Sequence, residues 1–308
     1  MKHSRRLLGA FSIVMILGLF FVGLWPFDFS PKNRASWAAG GSGLYFDGMK
    51  RNWKLSVGGI AYLSSLSGSE QNPHPGKGSF TLAIYLQPEN NVTSGVPHIF
   101  SLVEKTGKVV LYLGQWKQSL IVRWFSPEQK GRRKFQEISV GEALLEEKAQ
   151  WLTIVSDQAG TTISIDDALE KHFQGKALLA EGSSIRDYNV VLGNSSEANR
   201  PWTGTILALT LYEQSLEKKK VSMNWKLLKE SLKYSDIAYD GLISAFNFEG
   251  DEGTCDIDLS GNGNVLAVPA QISSKGRMLE WPINIFQTRA SMVKDIIINV
   301  FGFIPLGF

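Results

Sequence analysis

Asp295 and Asn299 stand four residues apart in an otherwise apolar stretch, Val293 to Phe308 (VKDIIINVFGFIPLGF). On a helix they share one face with Gly302 and Leu306. Polar groups of this kind inside a membrane are costly unless paired. Three readings stay open: part of a membrane-embedded site whose other members lie beyond Phe308, hydrogen bonding between helices, or an Asp that marks the water boundary. Elsewhere the reactive side chains form no familiar constellation. No G-x-S-x-G occurs, and His3, His74, His98 and His172 have no H-E-x-x-H or other ligand spacing. Cys255 is the only cysteine, so an intrachain disulfide and a thiolate metal site are both excluded.

The elements that would hold the Asp295–Asn299 pair are membrane helices. The thirteen residues after Asp295 carry no charge, whereas a helix needs about 20 to cross a hydrocarbon core of about 30 Å. Residues 293–308 therefore read as an incomplete second membrane helix, with a buried C-terminal strand or core helix as the alternative. Leu7 to Phe27 has no charged residue and is long enough to span as a helix. Lys2, Arg5 and Arg6 precede it, which keeps residues 1–6 as a cytoplasmic tail and points the helix outward. A cleaved signal peptide shares this pattern, but the apolar run exceeds the usual length and Trp25-Pro26-Phe27-Asp28 offers no small-x-small site. The three basic residues match the whole formal charge of +3. The rest is balanced, and no nucleic-acid surface is implied. Lys218-Lys219-Lys220 and Arg132-Arg133-Lys134 read as solvated runs.

Between residues 28–37 and 271–292, both read as linkers, residues 38–270 show short β-rich runs separated by Gly, Pro, Asn and Asp. In Phe80 to Leu86, Phe80, Leu82, Ile84 and Leu86 share one face and Thr81, Ala83 and Tyr85 the other. Val109–Leu113, Leu120–Phe125, Trp151–Val155, Thr161–Ile165, Asn189–Leu192, Thr205–Tyr212 and Leu242–Phe248 repeat the theme. The expectation is an all-β fold, two antiparallel sheets packed face to face. Glu142–Glu147 and Ser215–Lys233 are the expected helices. The second places Val221, Trp225, Leu228 and Leu232 on one stripe that would cap the sandwich.

GLYFDG (Gly43–Gly48), FTLAIYLQP (Phe80–Pro88), LYLGQWKQSLIVRW (Leu111–Trp124), QWLTIVSDQAGTTISIDD (Gln150–Asp167) and VVLGNSSEANRPWTGTILALTLYEQSLEKKKV (Val190–Val221) follow one another in the order of a known pattern. They resemble laminin-G-like, concanavalin A-like jelly-roll domains. FNFEGDEGTCDIDLSGNGN (Phe246–Asn264) also looks like that family. There it opens the domain and here it closes it, so the resemblance implies a permuted domain, or else the start of a second repeat. Asp166-Asp167-Ala168 stands where the family commonly has Asp-Gly, which implies a different turn. The ends resemble a second family. Leu24-Trp25-Pro26-Phe27-Asp28-Phe29-Ser30, with Asp295, Asn299 and Phe303-Ile304-Pro305-Leu306-Gly307-Phe308, is similar to VanZ-like bacterial polytopic membrane proteins, with the sandwich inserted between the first and second membrane helices.

The first resemblance implies that the sandwich binds a ligand on a sheet face or rim loops. Sugars dock on aromatic rings beside polar groups. Alternation and loop position nominate Tyr85, Tyr112, Trp116, Arg123 and Trp202, with core packing as the competing role for the aromatics. Members of that family often use calcium, for which Asp256, Asp258, Asn262 and Asn264 offer hard oxygen donors; the same residues also favour such turns by local hydrogen bonding. Related jelly rolls include glycosidases with paired carboxylates, but Glu249-Gly250-Asp251-Glu252 is a turn composition rather than an E-x-D-x-x-E strand. The expected protein is a bacterial envelope protein in the cytoplasmic membrane, its N-terminus cytoplasmic and its sandwich extracytoplasmic. Its role would be non-enzymatic recognition of a glycan or protein. Two alternatives are an accessory domain of a membrane enzyme or transporter with its active site beyond Phe308, and a secreted lectin. Asn91-Val92-Thr93 and Asn194-Ser195-Ser196 fit a glycosylation sequon that a bacterial context would make incidental.

Overall fold

The computed structural model describes residues 2–24, 27–29, 31–38, 43–48, 58–64, 66, 77–89, 95–126, 135–166, 168–217, 219–221, 223, 241–248, 257–272 and 274–276. In chain order these form α1 (Lys2–Leu24), β1 (Phe27–Phe29), β2 (Ala35–Trp37), β3 (Leu44–Phe46), β4 (Ala61–Leu63), β5 (Phe80–Pro88) and β6 (His98–Val103). Then come β7 (Val109–Trp116), β8 (Ser119–Phe125), β9 (Phe135–Val140), β10 (Gln150–Ser156), β11 (Gly160–Ile165) and β12 (Leu169–Gln174). The last are β13 (Asn189–Leu192), β14 (Gly204–Tyr212), β15 (Leu242–Asn247), β16 (Leu266–Ala267) and β17 (Ser274–Gly276). Two compact units result: residues 1–30 with 273–308, and Pro31–Ile272.

The larger unit is an all-β, two-sheet antiparallel jelly-roll sandwich. Its first sheet has the order β12-β11-β10-β5-β14-β3-β2, and β15 also pairs with β14. The second has the order β16-β4-β13-β6-β7-β8-β9. Alternation explains the core between them. Phe80, Leu82, Ile84 and Leu86 of β5 and Leu152 and Ile154 of β10 point inward from the first sheet, facing Leu111, Leu113, Leu120, Val122 and Trp124 of the second. Each such side chain contributes about 1.5–3 kcal/mol by leaving water. β3 pairs with Gly204–Ile206 of β14 and β15 with Ala208–Tyr212, so the C-terminal Leu242–Asn247 segment takes the remainder of the same edge.

The chain enters and leaves this unit side by side. Lys32 and Gln271 form an antiparallel bridge, and the amides of Asn33 and Ile272 donate to Ala270 O and Pro31 O at 3.0 and 2.9 Å. Buried Asn33 secures the junction: its Nδ2 donates to Ile60 O and Pro269 O, and its Oδ1 accepts from the amides of Ala35 and Ile60. Ala35–Trp37 is thus a sheet strand, although the sequence reads it as linker.

In the smaller unit β1 pairs antiparallel with β17, Phe27 opposite Gly276 and Phe29 opposite Ser274. α1 runs for 23 residues. Among the described residues no helix is long and apolar enough to cross a membrane.

The expected helix at Glu142–Glu147 is a pair of turns. Glu142 and Glu147 both adopt φ 55°, and amides a helix would need go elsewhere, Leu145 to Gln150 Oε1 and Glu147 to Pro88 O. Of Ser215–Lys233, residues 219–221 and 223 are described as helical, and Val221 packs on Ala83 and Tyr212 outside the first sheet. Trp225, Leu228 and Leu232 lie outside the described residues. Asp166 opens the β11–β12 turn at φ 48°, a left-handed conformation that Asp tolerates better than most residues.

Candidate functional site

The residues nominated for ligand binding occupy three environments. Trp202 is core: it is fully buried, and its Nε1 donates to Gln115 Oε1 at 2.6 Å. It is removed from the ligand set, because its strand-entry position turns the ring inward beside Phe46. Tyr85 lies on the outer face of the first sheet, stacked on Trp151 across β5 and β10 with ring centroids 4.5 Å apart. Tyr112, Trp116 and Arg123 lie together on the outer face of the second sheet, where alternation turns Tyr112, Gly114 and Trp116 away from core-facing Leu111 and Leu113.

Register fixes a row across this second face: Val191 of β13, Ser101 of β6, Tyr112 of β7, Arg123 of β8 and Glu137 of β9. Arg123 Nε donates to Glu137 Oε2 at 2.8 Å, and Nη2 bonds the same oxygen. The guanidinium carbon of Arg123 stands 5.6 Å from the Tyr112 ring centroid, within cation–π range. His98 stacks on Tyr112 at 3.8 Å, and its Nδ1 is 3.1 Å from Ser101 Oγ. Tyr112 is therefore only 7% exposed and supports Arg123, leaving little of its own ring for a ligand. Gly114, opposite His98, makes the close packing feasible. A Cβ there would stand 2.4 Å from Val96 Cγ1 and 2.7 Å from Pro97 O.

Groups open to solvent flank the row. One step along β8 and β9, Phe125 meets Phe135 edge-on with centroids 5.8 Å apart, and Phe135 is 42% exposed. Lys108 Nζ lies 3.9 Å from the Phe125 centroid. In the other direction Trp116, 46% exposed, ends β7 opposite Ser119. Arg200 borders the row through its backbone, accepting from His98 N at 2.9 Å. Burial, then the positive charges of Arg200 and Arg123, push His98 down to about 3. Burial raises the Tyr112 phenol above its ordinary value, with Arg123 opposing. His98 and Tyr112 are thus neutral near pH 7, between two guanidinium groups.

This surface offers aromatic edges and faces beside charge-assisted hydrogen-bond donors and one carboxylate, a set suited to holding a polyhydroxylated ligand. The row contains a single carboxylate, already bound by Arg123, and so lacks the pair that glycoside hydrolysis uses.

The calcium donors behave as a staple. Asp258 accepts five hydrogen bonds, from the amides of Ala245, Ser260 and Asn264, from Ser260 Oγ and from Asn264 Nδ2. Asn262 Nδ2 donates to Leu242 O and Ile243 O, and Asn264 Nδ2 to Ile243 O. These bonds tie the turn to β15 and engage the oxygens of Asp258. Asp256 lies outside the described residues, among which no three His, Cys, Asp or Glu side chains cluster to hold a metal ion. Asp295 and Asn299 also lie outside them. Asn194, in a sequon, is fully buried, with its Oδ1 accepting from the amides of Ser195 and Arg200.

Sequence reasoning missed His98, Phe135, Glu137 and Arg200. The Phe135–Val140 segment alternates and could have been read as a strand, and a glycine inside β7 signals close approach. Arg200 carried no sequence signal.

No family model and no curated protein match this chain. Solved structures match in fold. It is similar to tailspike protein 2 of Escherichia coli O157:H7 bacteriophage CAB120, at 13% identity and TM-score 0.43, covering 73% of this chain but only 29% of the tailspike. Another similar structure is a putative carbohydrate binding protein from Bacteroides ovatus, at 16% identity and TM-score 0.41, covering 71% of this chain and 59% of that one. A SAP-like pentraxin from Limulus polyphemus is similar over 79% of this chain and 100% of its own, at 12% identity and TM-score 0.43. At these identities the likeness is one of fold.

Proposed function

We propose that the sandwich binds a glycan, without catalysing a reaction, on the outer face of its second sheet. One observation carries this reading: Trp116 and Phe135 stand exposed at the two ends of a face whose centre holds Arg123 and Glu137, braced from beneath by the buried His98–Tyr112 stack. Exposed aromatics of this kind cover the apolar side of a sugar ring, and the polar pair takes hydroxyls. The full chain in detergent micelles, tested on a glycan panel beside its Trp116→Ala and Phe135→Ala variants, examines it. Binding that each variant weakens supports the proposal. Binding that neither variant changes places the ligand elsewhere.

The setting we propose is a bacterial cytoplasmic membrane, with the N-terminus cytoplasmic and the sandwich outside. Leu7 to Phe27 is uncharged in the sequence, and the backbone is helical over Lys2–Leu24. The side-by-side ends of the sandwich at Pro31 and Ile272 suit insertion between two membrane segments, as the resemblance of the chain's ends to VanZ-like proteins implies. Protease added to intact spheroplasts then removes the sandwich. Survival of the sandwich under those conditions, with cleavage on lysis, contradicts the topology.

A further inference from the structure

We infer that the glycan bound on this face is a carboxylate-bearing polysaccharide, a polyuronate, whose sugar carboxylate is held by Arg200. The inference rests on the glycan reading above and gives it a ligand class. The charges around the Tyr112–His98 pair do not balance. Arg123 is matched by Glu137, whereas Arg200 is exposed and makes no ion pair among the described residues. His98 is neutral, as is the Tyr112 phenol, so among the described residues of the row and its border the Arg200 charge has no matching carboxylate.

The backbone of Arg200 is fixed on both sides. Its amide donates to the buried Asn194 Oδ1 at 3.0 Å, and its carbonyl accepts from His98 N at 2.9 Å. Its side chain lies across Gly95, where φ is 104° and a Cβ would stand 2.3 Å from Nη1. The loop is held at both backbone groups, which limits the entropy lost when an anion docks on the guanidinium. A guanidinium presents a planar fork that matches a carboxylate by two parallel hydrogen bonds.

The length of the face argues for a chain rather than one terminal sugar. From the Phe125–Phe135 pair to Ser119, opposite Trp116, is six residues along β8, about 20 Å at strand rise. Exposed aromatics stand at both ends of that length. An extended polymer can cover both while presenting an acid to Arg200 at the border of the row.

The test uses the full chain in detergent micelles, titrated with polygalacturonate, with its fully methyl-esterified form and with dextran. The expected result is binding of polygalacturonate about ten- to a hundredfold tighter than of the ester, the range for one charged hydrogen-bonded contact. Arg200→Gln should abolish that preference, so that polygalacturonate and its ester bind alike, with the denaturation midpoint unchanged. If ester or dextran binds as tightly as polygalacturonate, the acidic-ligand inference fails and the glycan reading stands. Absence of binding to all three, extended to the whole panel, removes both. An undiminished acid preference in Arg200→Gln overturns the role of Arg200.

Discussion

Replacing His98 by Gln should flatten the acid branch of the stability curve. The imidazole is buried against Tyr112 with two guanidinium groups nearby, and its folded pKa is about 3 against an ordinary 6.5. A histidine with a depressed folded pKa binds its proton in the unfolded chain first. Its contribution is therefore complete above the unfolded pKa, near 6.5, and is lost as pH falls towards about 3. Within that window the slope is about 1.4 kcal/mol per pH unit, and from pH 6 to 4.5 the loss integrates to about 2 kcal/mol. Urea denaturation of the full chain in detergent, followed by tryptophan fluorescence at several pH values, measures it. Carboxylates elsewhere titrate in both proteins, so the quantity that decides is the slope of wild type minus that of His98→Gln. Equal slopes would show that His98 takes up its proton in the folded state, and the sealed His98–Tyr112 stack would be refuted.

Other perturbations probe other parts of the account. Gly193 adopts φ 74° and an added Cβ would stand 1.9 Å from Phe46 Cδ1, so Gly193→Ala should cost about 3 kcal/mol or more in denaturant unfolding. Trp202→Phe leaves buried Gln115 Oε1 without its donor and should cost about 1–3 kcal/mol, part of which a second change, Gln115→Leu, should restore. Because the Asp258 carboxylate is engaged by protein donors, chelation of calcium should leave the denaturation midpoint unchanged, whereas Asp258→Asn should lower it; a chelator-induced fall would contradict the staple.

Phe80–Pro88, Ser119–Phe125 and Gly204–Tyr212 lie within a residue or two of their expected limits because alternation and flanking Gly, Pro or Asn mark them. β6 (His98–Val103) is buried on both faces and shows no alternation, while β12 (Leu169–Gln174) is a polar edge strand. Neither carries a period-2 signal. Tyr112, Trp116 and Arg123 were recognisable because they alternate with core residues on two neighbouring strands. For Trp202 the core role holds, and its loop position left that open because it says nothing about which way a ring turns. His98 and Arg200 adjoin the row through sheet pairing and a loop that folds back, relations over long sequence separations that one chain's spacing cannot reveal.

The central claim is that a glycan lies across the outer face of the second sheet. Its most direct test is to record NMR spectra of the full chain, with indole nitrogens labelled, while a glycan that binds is titrated in. The account predicts that the Trp116 indole resonance shifts on binding while that of Trp202, bonded to Gln115 in the core, stays in place. Saturable binding that leaves the Trp116 resonance unmoved would contradict it.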